Sequence, residues 1–134
     1  MTTDMETKER LNRLMALWTV AEVYDGAWIG VDLDGTLAKY DGWRGMAHIG
    51  EPIPGTCEVV KDLLDMGVRC KVFTARVCAG TSMLDKDTFN AALRDWSLKH
   101  LGTALQATSD KDWRMVAIID DRAIAVEFNT GRFL

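Results

Sequence analysis

Proline and cysteine are scarce in this chain, and long apolar runs are missing. Its 134 residues include two prolines and three cysteines. Cys57, Cys70 and Cys78 lack the paired C-x-x-C spacing of a zinc or redox site, so no disulfide or zinc framework is expected and a reducing, cytoplasmic setting is favoured. Apolar runs such as Met115–Ile119 fall far short of the roughly 20 residues that cross a membrane. We therefore expect a soluble protein with no membrane partner.

An excess of basic residues and a basic leader are also missing. Lys and Arg number 16 against 20 Asp and Glu, which gives a net charge of -4. We therefore expect no general attraction to nucleic acid or to an anionic membrane. Residues 1–10 are polar and of mixed charge, unlike a secretory signal. Hydrophobic residues make up 48% of the chain, enough for one core, and we predict a single domain over residues 1–134.

Helical and extended patterns alternate along the chain. In the N-terminal segment, residues 1–25, apolar side chains recur at helical spacing and predict an amphipathic helix over 9–24. Thr56 is a candidate cap for a second helix, with Gly67 as its stop, and another apolar stripe predicts a helix over 85–100. Residues 38–54 hold both prolines and show no period, which predicts a flap loop. Strands are predicted at 28–33, 69–73, 104–108, 115–119 and 124–128.

Strands that alternate with helices predict an α/β fold with a parallel central sheet and helices on both faces. In such sheets the ligand site lies at the carboxyl ends of the strands. Asp32 with Asp34, and Asp120 with Asp121, each follow a predicted strand, so their four carboxylates should converge. Carboxylates this close repel one another unless a cation neutralises them. Oxygen ligands of this kind suit Mg²⁺, which we expect as the cofactor.

The run Asp32-Leu33-Asp34-Gly35-Thr36, followed in order by Thr74, Lys111 and Asp120-Asp121, resembles the motifs of the haloacid dehalogenase (HAD) superfamily of phosphohydrolases. The D-x-D-G-T run directly after an apolar strand is the specific part of this resemblance, which spans most of the chain. It implies a three-layer, Rossmann-like (HAD-like) fold and a magnesium-dependent phosphatase. The intervals between the motifs leave no room for a large cap domain.

The resemblance implies a role for each acidic residue. Asp32 is the expected nucleophile, which attacks phosphorus and becomes a transient aspartyl phosphate. Asp34 is the expected general acid and base, and its backbone carbonyl is an expected magnesium ligand. The Asp32 carboxylate, with Asp120 or Asp121, would complete the metal ligands that the protein supplies. Which of Asp120 and Asp121 contacts the ion directly is left open.

The resemblance also implies a phosphate-binding group. Thr74 and the backbone amides beside it, including that of Ala75, are expected to donate hydrogen bonds to phosphate oxygens. Lys111 is expected to neutralise the phosphoryl group and to position the nucleophile. Thr36 is expected to brace the turn after the nucleophile. Arg76 could contact substrate or pair with an acidic neighbour, and both alternatives stay open.

Most of these residues also have a purely structural explanation. D-x-D pairs are common in solvated turns, and Asp120 with Asp121 would suit a helix N-cap with an acidic first turn. Lys111 lies in a polar segment, where solvent exposure is usual. Trp43 is expected to be exposed on the flap, whereas Trp28 lies in an apolar pattern and is expected in the core.

Three functions compete. The first is a phosphomonoester hydrolase that acts on a phosphorylated small molecule, with a nucleotidase or a polynucleotide 3'-phosphatase as narrower versions. A site without a cap suits a bulky substrate, or it obtains a lid when the chain forms a homo-oligomer. The second is a non-catalytic regulatory module that binds metal or phosphate with the same residues. The third is a receiver-like signalling domain, in which a phosphorylated Asp would stand where this chain has Phe73-Thr74. The presence of both Asp32 and Asp34 favours the hydrolase.

Overall fold

A computed structural model describes residues 5–21 and 25–134 of the chain. The helices are α1 (Met5–Ala21), α2 (Pro54–Asp65) and α3 (Met83–Leu101), and the strands are β1 (Trp28–Asp32), β2 (Cys70–Phe73), β3 (Ala107–Thr108) and β4 (Met115–Ile119). α1 covers positions 9–21 of the helix predicted over 9–24. The other parts of the N-terminal segment, residues 1–4 and 22–24, lie outside the described residues. Within the described ranges, no helix has the length and apolarity needed to cross a membrane.

The four strands form one parallel sheet in the order β3-β2-β1-β4. β1 is central, with Asp32 opposite Phe73 of β2 and Val31 opposite Ile119 of β4. The residues that follow these three strands therefore lie at one edge of the sheet. An α/β fold on a parallel sheet is confirmed. The connection between β3 and β4, residues 109–114, contains no helix, so it does not supply the second helical layer of a three-layer fold.

The apolar core lies on one side of β1. Ile29 and Val31 are fully buried and belong to one cluster with buried side chains of α2 and α3, among them Leu63 and Phe89. Because side chains alternate along a strand, Trp28 points to the opposite side, where the Lys71 ammonium lies 4.7 Å from its ring centroid. Trp28 is also buried, as predicted. Apolar residues of α1 pack against the cluster, namely Leu11, Leu14, Met15 and Trp18.

The helix boundaries follow from local capping. The prediction of Thr56 as a helix cap is wrong, because α2 already begins at Pro54 after Ile53, which makes no side-chain cap bond. Proline has no N–H to leave unpaired in the first helical turn, and this explains the earlier start. Gly67 follows the helix end with a positive φ of 83°, in keeping with the predicted stop. α3 begins before the predicted position because Ser82 caps it.

The strand predicted over 124–128 is wrong. Beyond β4 the chain has only an isolated bridge between Val126 and Phe133. Ile124 and Phe128 are 75% and 86% exposed, so their apolar alternation does not mark a half-buried strand. Alternation predicts a strand only where a neighbouring strand supplies hydrogen bonds, and the described sheet offers none here.

The flap, residues 38–53, contains no helix or strand but is held at its base. Ala38 and Pro52 form an isolated antiparallel bridge, and Pro54 already belongs to α2. From α3, the indole Nε1 of Trp96 donates a hydrogen bond of 2.9 Å to the carbonyl oxygen of Gly50. The base of the flap is therefore fixed to the core helix.

Gly50 lets the two arms of the flap approach each other. A Cβ on residue 50 would overlap the backbone carbonyl oxygen of Lys39. We expect Gly50→Ala to lower the free energy of unfolding by about 1–3 kcal/mol, because the backbone must shift to relieve the overlap. Urea unfolding measures this effect. Gly55→Ala is the control, since its Cβ would meet nothing within 4 Å. Equal losses of stability in the two variants would contradict the prediction.

Candidate functional site

Three carboxylates gather at the carboxyl edge of the sheet. Asp32 ends β1, and Asp120 and Asp121 directly follow β4. Each of the three offers an oxygen atom, and these atoms all lie within 4.8 Å of one another. The first two side chains are half-buried and the third is exposed. The predicted convergence therefore holds for three of the four carboxylates.

Thr36 connects Asp32, at the end of β1, with Asp121, after β4. Its buried Oγ1 lies 2.9 Å from both Asp32 Oδ2 and Asp121 Oδ1, and it accepts a hydrogen bond of 3.0 Å from the Asp121 backbone N–H. The hydroxyl has a single hydrogen, so it donates to one of the two carboxylates at a time. Gly35 turns the chain before it with a φ of 90°, which favours glycine. Thr36 thus does more than brace the turn, since it links the strand ends directly.

The carboxylates also change each other's titration. Burial is the main cause that raises the pKa of Asp32 to about 6, and Asp120 and Asp121 add to it. The pKa of Asp121 is lowered, first by the hydrogen bond from Thr36 and then by the one with Asp32. Opposite shifts in neighbouring carboxyl groups are expected when one proton is shared between them. A proton shared by the pair is therefore favoured on Asp32 over Asp121.

The raised pKa of Asp32 predicts a pH dependence of stability. In the metal-free protein, the folded state binds more protons than the unfolded state between pH 3.8 and about 6. The free energy of unfolding should therefore fall as the pH rises through this window. The fall should stay below about 3 kcal/mol, because solvent screens the half-exposed carboxylate.

Urea unfolding in EDTA at several pH values measures this effect. Asp32→Asn removes the titrating group and is the reference. The free energy of unfolding of the wild type, minus that of Asp32→Asn, should fall as the pH rises from 3.8 to about 6. A difference that is the same at every pH would refute the assignment.

The donor set fits a hard divalent cation. Among the side chains that the structure describes, no lysine or arginine forms an ion pair with Asp32, Asp120 or Asp121. The charge of Arg122 helps to lower the pKa of Asp121, but it makes no ion pair with this carboxylate. Carboxylate oxygens are the ligands that magnesium and similar ions prefer.

Thr74 lies at the same edge of the sheet, at the end of β2. It is buried, and its backbone N–H donates to the carbonyl oxygen of Thr108 at 2.9 Å. Thr74 is the N-cap of a 3₁₀ helix, Ala75–Val77, and its Oγ1 accepts a hydrogen bond of 3.2 Å from the Arg76 N–H. An acceptor hydroxyl keeps its own hydrogen for another partner. Thr74 can therefore still donate to an anion at this edge.

Asp34 does not join the other carboxylates. Its two oxygens accept hydrogen bonds from Arg76, one from Nη2 at 2.7 Å and one from Nε at 3.0 Å. Of the two alternatives for Arg76, the structure shows the pairing with an acidic neighbour, which is Asp34. The expected metal contact of Asp34 through its backbone carbonyl stays a prediction.

Two other sequence assignments are placed as follows. Lys111 is exposed in the connection between β3 and β4, and it has no hydrogen-bond or ion-pair partner in the part of the chain that the structure describes. Its role toward phosphate stays a prediction.

No helix follows β4, so the alternative of a helix N-cap at Asp120 and Asp121 is wrong. Asp120 instead accepts a bond of 3.0 Å from the backbone N–H of Arg122.

Comparisons with protein-family models, with curated proteins and with solved structures found no match to this chain. The resemblance to the HAD superfamily therefore depends on the motif residues alone.

A cavity of about 670 Å³ adjoins the turn that carries Gly35. A Cβ on Gly35 would be 3.1 Å from Asp121 Oδ2. The other lining residues all belong to the flap and are Lys39, Tyr40, Asp41, Arg44, His48, Glu51 and Ile53. The cavity is large enough for a small organic molecule. A ligand in this cavity would therefore contact the flap beside Gly35.

Proposed function

We propose that this chain is a magnesium-dependent phosphomonoester hydrolase of the HAD type that acts through an aspartyl phosphate on Asp32. The observation that carries the proposal is the position of Asp32. It ends the central strand of a parallel sheet, within one carboxylate group with Asp120 and Asp121. Thr74 lies at the same edge with a hydroxyl hydrogen available. The proposed metal ligands, the proposed nucleophile and a hydrogen-bond donor for phosphate would thus come from the ends of three neighbouring strands.

The first chemical step belongs to Asp32. Its carboxylate oxygen attacks phosphorus, the bond from phosphorus to the leaving oxygen breaks, and that oxygen takes the electron pair. Mg²⁺ held by Asp32 with Asp120 or Asp121 would offset charge on the phosphoryl group. Thr74 and the amide of Ala75 would donate to the phosphoryl oxygens.

The second step returns the protein to its starting state. Asp34 would accept a proton from the water that attacks the aspartyl phosphate, and the bond between phosphorus and the Asp32 oxygen breaks. Inorganic phosphate leaves, and the proton taken from water replaces the one that Asp34 gave to the leaving oxygen in the first step. Lys111 would approach the phosphoryl group from its exposed position.

Release of inorganic phosphate from a generic aryl phosphate tests the proposal. We expect release with magnesium and none in EDTA. If release requires magnesium, nucleotides, sugar phosphates and 3'-phosphorylated oligonucleotides are the next substrates to compare. The net charge of -4 weighs against tight binding of a polymer. Release that is the same in EDTA would refute the metal-dependent mechanism.

A non-catalytic binding module is the second candidate. The observation that favours it is the engagement of both Asp34 oxygens by Arg76, which occupies the proposed acid and base. A module of this kind would bind magnesium or phosphate without turnover. Magnesium titration followed by thermal unfolding separates the two, since binding without phosphate release on any substrate would favour the module. A cytoplasmic setting is proposed for either function and is supported by three free cysteines.

A further inference from the structure

Arg76 occupies an unusual position for a charged residue. Its side chain is only 6% exposed, and Arg76 is the one buried charged residue among those whose burial the structure describes. A buried guanidinium is costly unless its donors are satisfied and its charge is paired. The contacts that satisfy Arg76 therefore reveal what the residue holds in place.

These contacts come from Asp34, in the turn after β1, and from the flap. One side of the guanidinium makes the two-pronged ion pair with Asp34. Its Nη1 donates to two flap carbonyls, that of His48 at 2.8 Å and that of Met46 at 3.3 Å. A guanidinium is planar and rigid. A shift of the flap carbonyls that Nη1 follows would therefore also move Nε and Nη2, which hold Asp34.

Two aromatic rings fix the same guanidinium. Its Cζ lies 5.0 Å from the ring centroid of Trp43 on the flap and 5.2 Å from that of Phe89 on α3. Cation–π contacts of this kind stabilise a desolvated guanidinium. Trp43 is 56% exposed, as predicted, so its ring covers the guanidinium from the solvent side. Opening of the flap would remove this ring and both carbonyls together.

We propose that Arg76 is a positioning residue that makes the orientation of Asp34 depend on the closed flap. The inference rests on the proposed function in one respect, namely that Asp34 transfers protons there. With the flap closed, Arg76 holds the Asp34 carboxylate in one orientation. With the flap open, Arg76 loses three of its partners and Asp34 loses its fixed orientation. Closure over a substrate and alignment of Asp34 are then one event.

Hydrogen exchange of the flap tests this linkage without any need for activity. Arg76→Met and Arg76→Lys should each speed amide exchange over residues 39–48, by at least about tenfold for Arg76→Met. Arg44→Met is the matched control. It removes a flap arginine whose ion pair with Asp41 is exposed, and flap exchange should stay within about threefold. Exchange in β1 and β2 reports whether each variant is folded, and Arg76→Lys decides the question if Arg76→Met does not fold.

A double-mutant cycle tests the dependence on Asp34. Asp34→Asn should also speed flap exchange, and its effect should be largely lost in the Arg76→Met background. Additive effects, or unchanged flap exchange in both Arg76 variants, would overturn the proposal. These outcomes do not depend on whether the protein hydrolyses anything.

Kinetics on an aryl phosphate add the functional readout. Arg76→Met should lower kcat by at least about tenfold, because Asp34 is no longer oriented, and Arg76→Lys should recover part of the loss. A change confined to KM would contradict a role through Asp34. A wild-type protein without magnesium-dependent hydrolysis would refute the proposed function, while the exchange experiment would still decide the linkage.

Discussion

Replacement of Asp32 by asparagine is expected to lower magnesium-dependent phosphate release by at least about a thousandfold. The amide cannot form the aspartyl phosphate, because its oxygen is a poor nucleophile and its nitrogen has no free lone pair. The shape of the side chain is retained, and the asparagine oxygen can still accept the hydrogen bond from Thr36. The backbone pairing of β1 does not involve this side chain. Loss of activity would therefore report chemistry and not unfolding.

The control for this experiment is Asp95→Asn, which makes the same chemical change at an exposed position on α3. It should retain activity within about twofold. Both variants should show cooperative urea unfolding in EDTA, and Asp32→Asn should be at least as stable as wild type at pH 7 because it removes a carboxylate whose pKa is raised to about 6. Activity within tenfold of wild type in Asp32→Asn would exclude this residue as the nucleophile.

Magnesium is expected to reverse the order of stability between wild type and variants of the carboxylate group. At about 100 times its dissociation constant, a bound ion raises the free energy of unfolding by roughly 2.7 kcal/mol. Asp120→Asn should lose most of this gain because it removes a ligand. In EDTA the same substitution should stabilise the protein, since the charge of Asp120 acts against ionisation of Asp32. A variant that is more stable than wild type in EDTA, and less stable than wild type in magnesium, has lost a ligand of the ion.

The same comparison decides between Asp120 and Asp121. The Asp121 carboxylate is exposed but accepts one hydrogen bond from Thr36, so Asp121→Asn tests whether a solvated carboxylate in a fixed position binds the ion. Asp95→Asn again serves as the control and should gain as much from magnesium as wild type. Urea unfolding with and without magnesium measures all three variants. An equal gain in every protein would show that the carboxylate group is not the metal site.

The sheet and the convergence at its edge were accessible from the sequence. An apolar strand leaves a clear local signal, and parallel pairing brings residues after each strand to one edge, which is why Asp32 and Asp120 were placed together. The boundaries of helices and strands were less accessible from the sequence. Thr56 carries a capping signal that Pro54 overrides two residues earlier. At Ile124 and Phe128 the alternation is present in the chain, but pairing depends on a neighbour that no local pattern encodes.

Partner choice within the site was the part that the sequence could not supply. Asp34 and Arg76 are 42 positions apart, and nothing local selects that arginine over another cation. The same holds for Thr36, whose hydrogen bond with Asp121 spans 85 positions. Both contacts arise from the packing of a turn against another strand end. Residue types predicted the chemistry of the site, whereas its hydrogen-bond partners required the fold.

The strand order has a consequence for synthesis of the protein on the ribosome. The central strand β1 pairs with β4, and the segments between them hold both other strands and two helices. A nascent chain that has reached only β3 can pair β1 with β2, but it leaves one edge of β1 open and lacks Asp120 and Asp121. Contacts between such distant segments form late because the intervening loop must close first. Asp120 and Asp121 are thus brought to Asp32 by one of the final pairing events, and an incomplete chain lacks part of the proposed metal site.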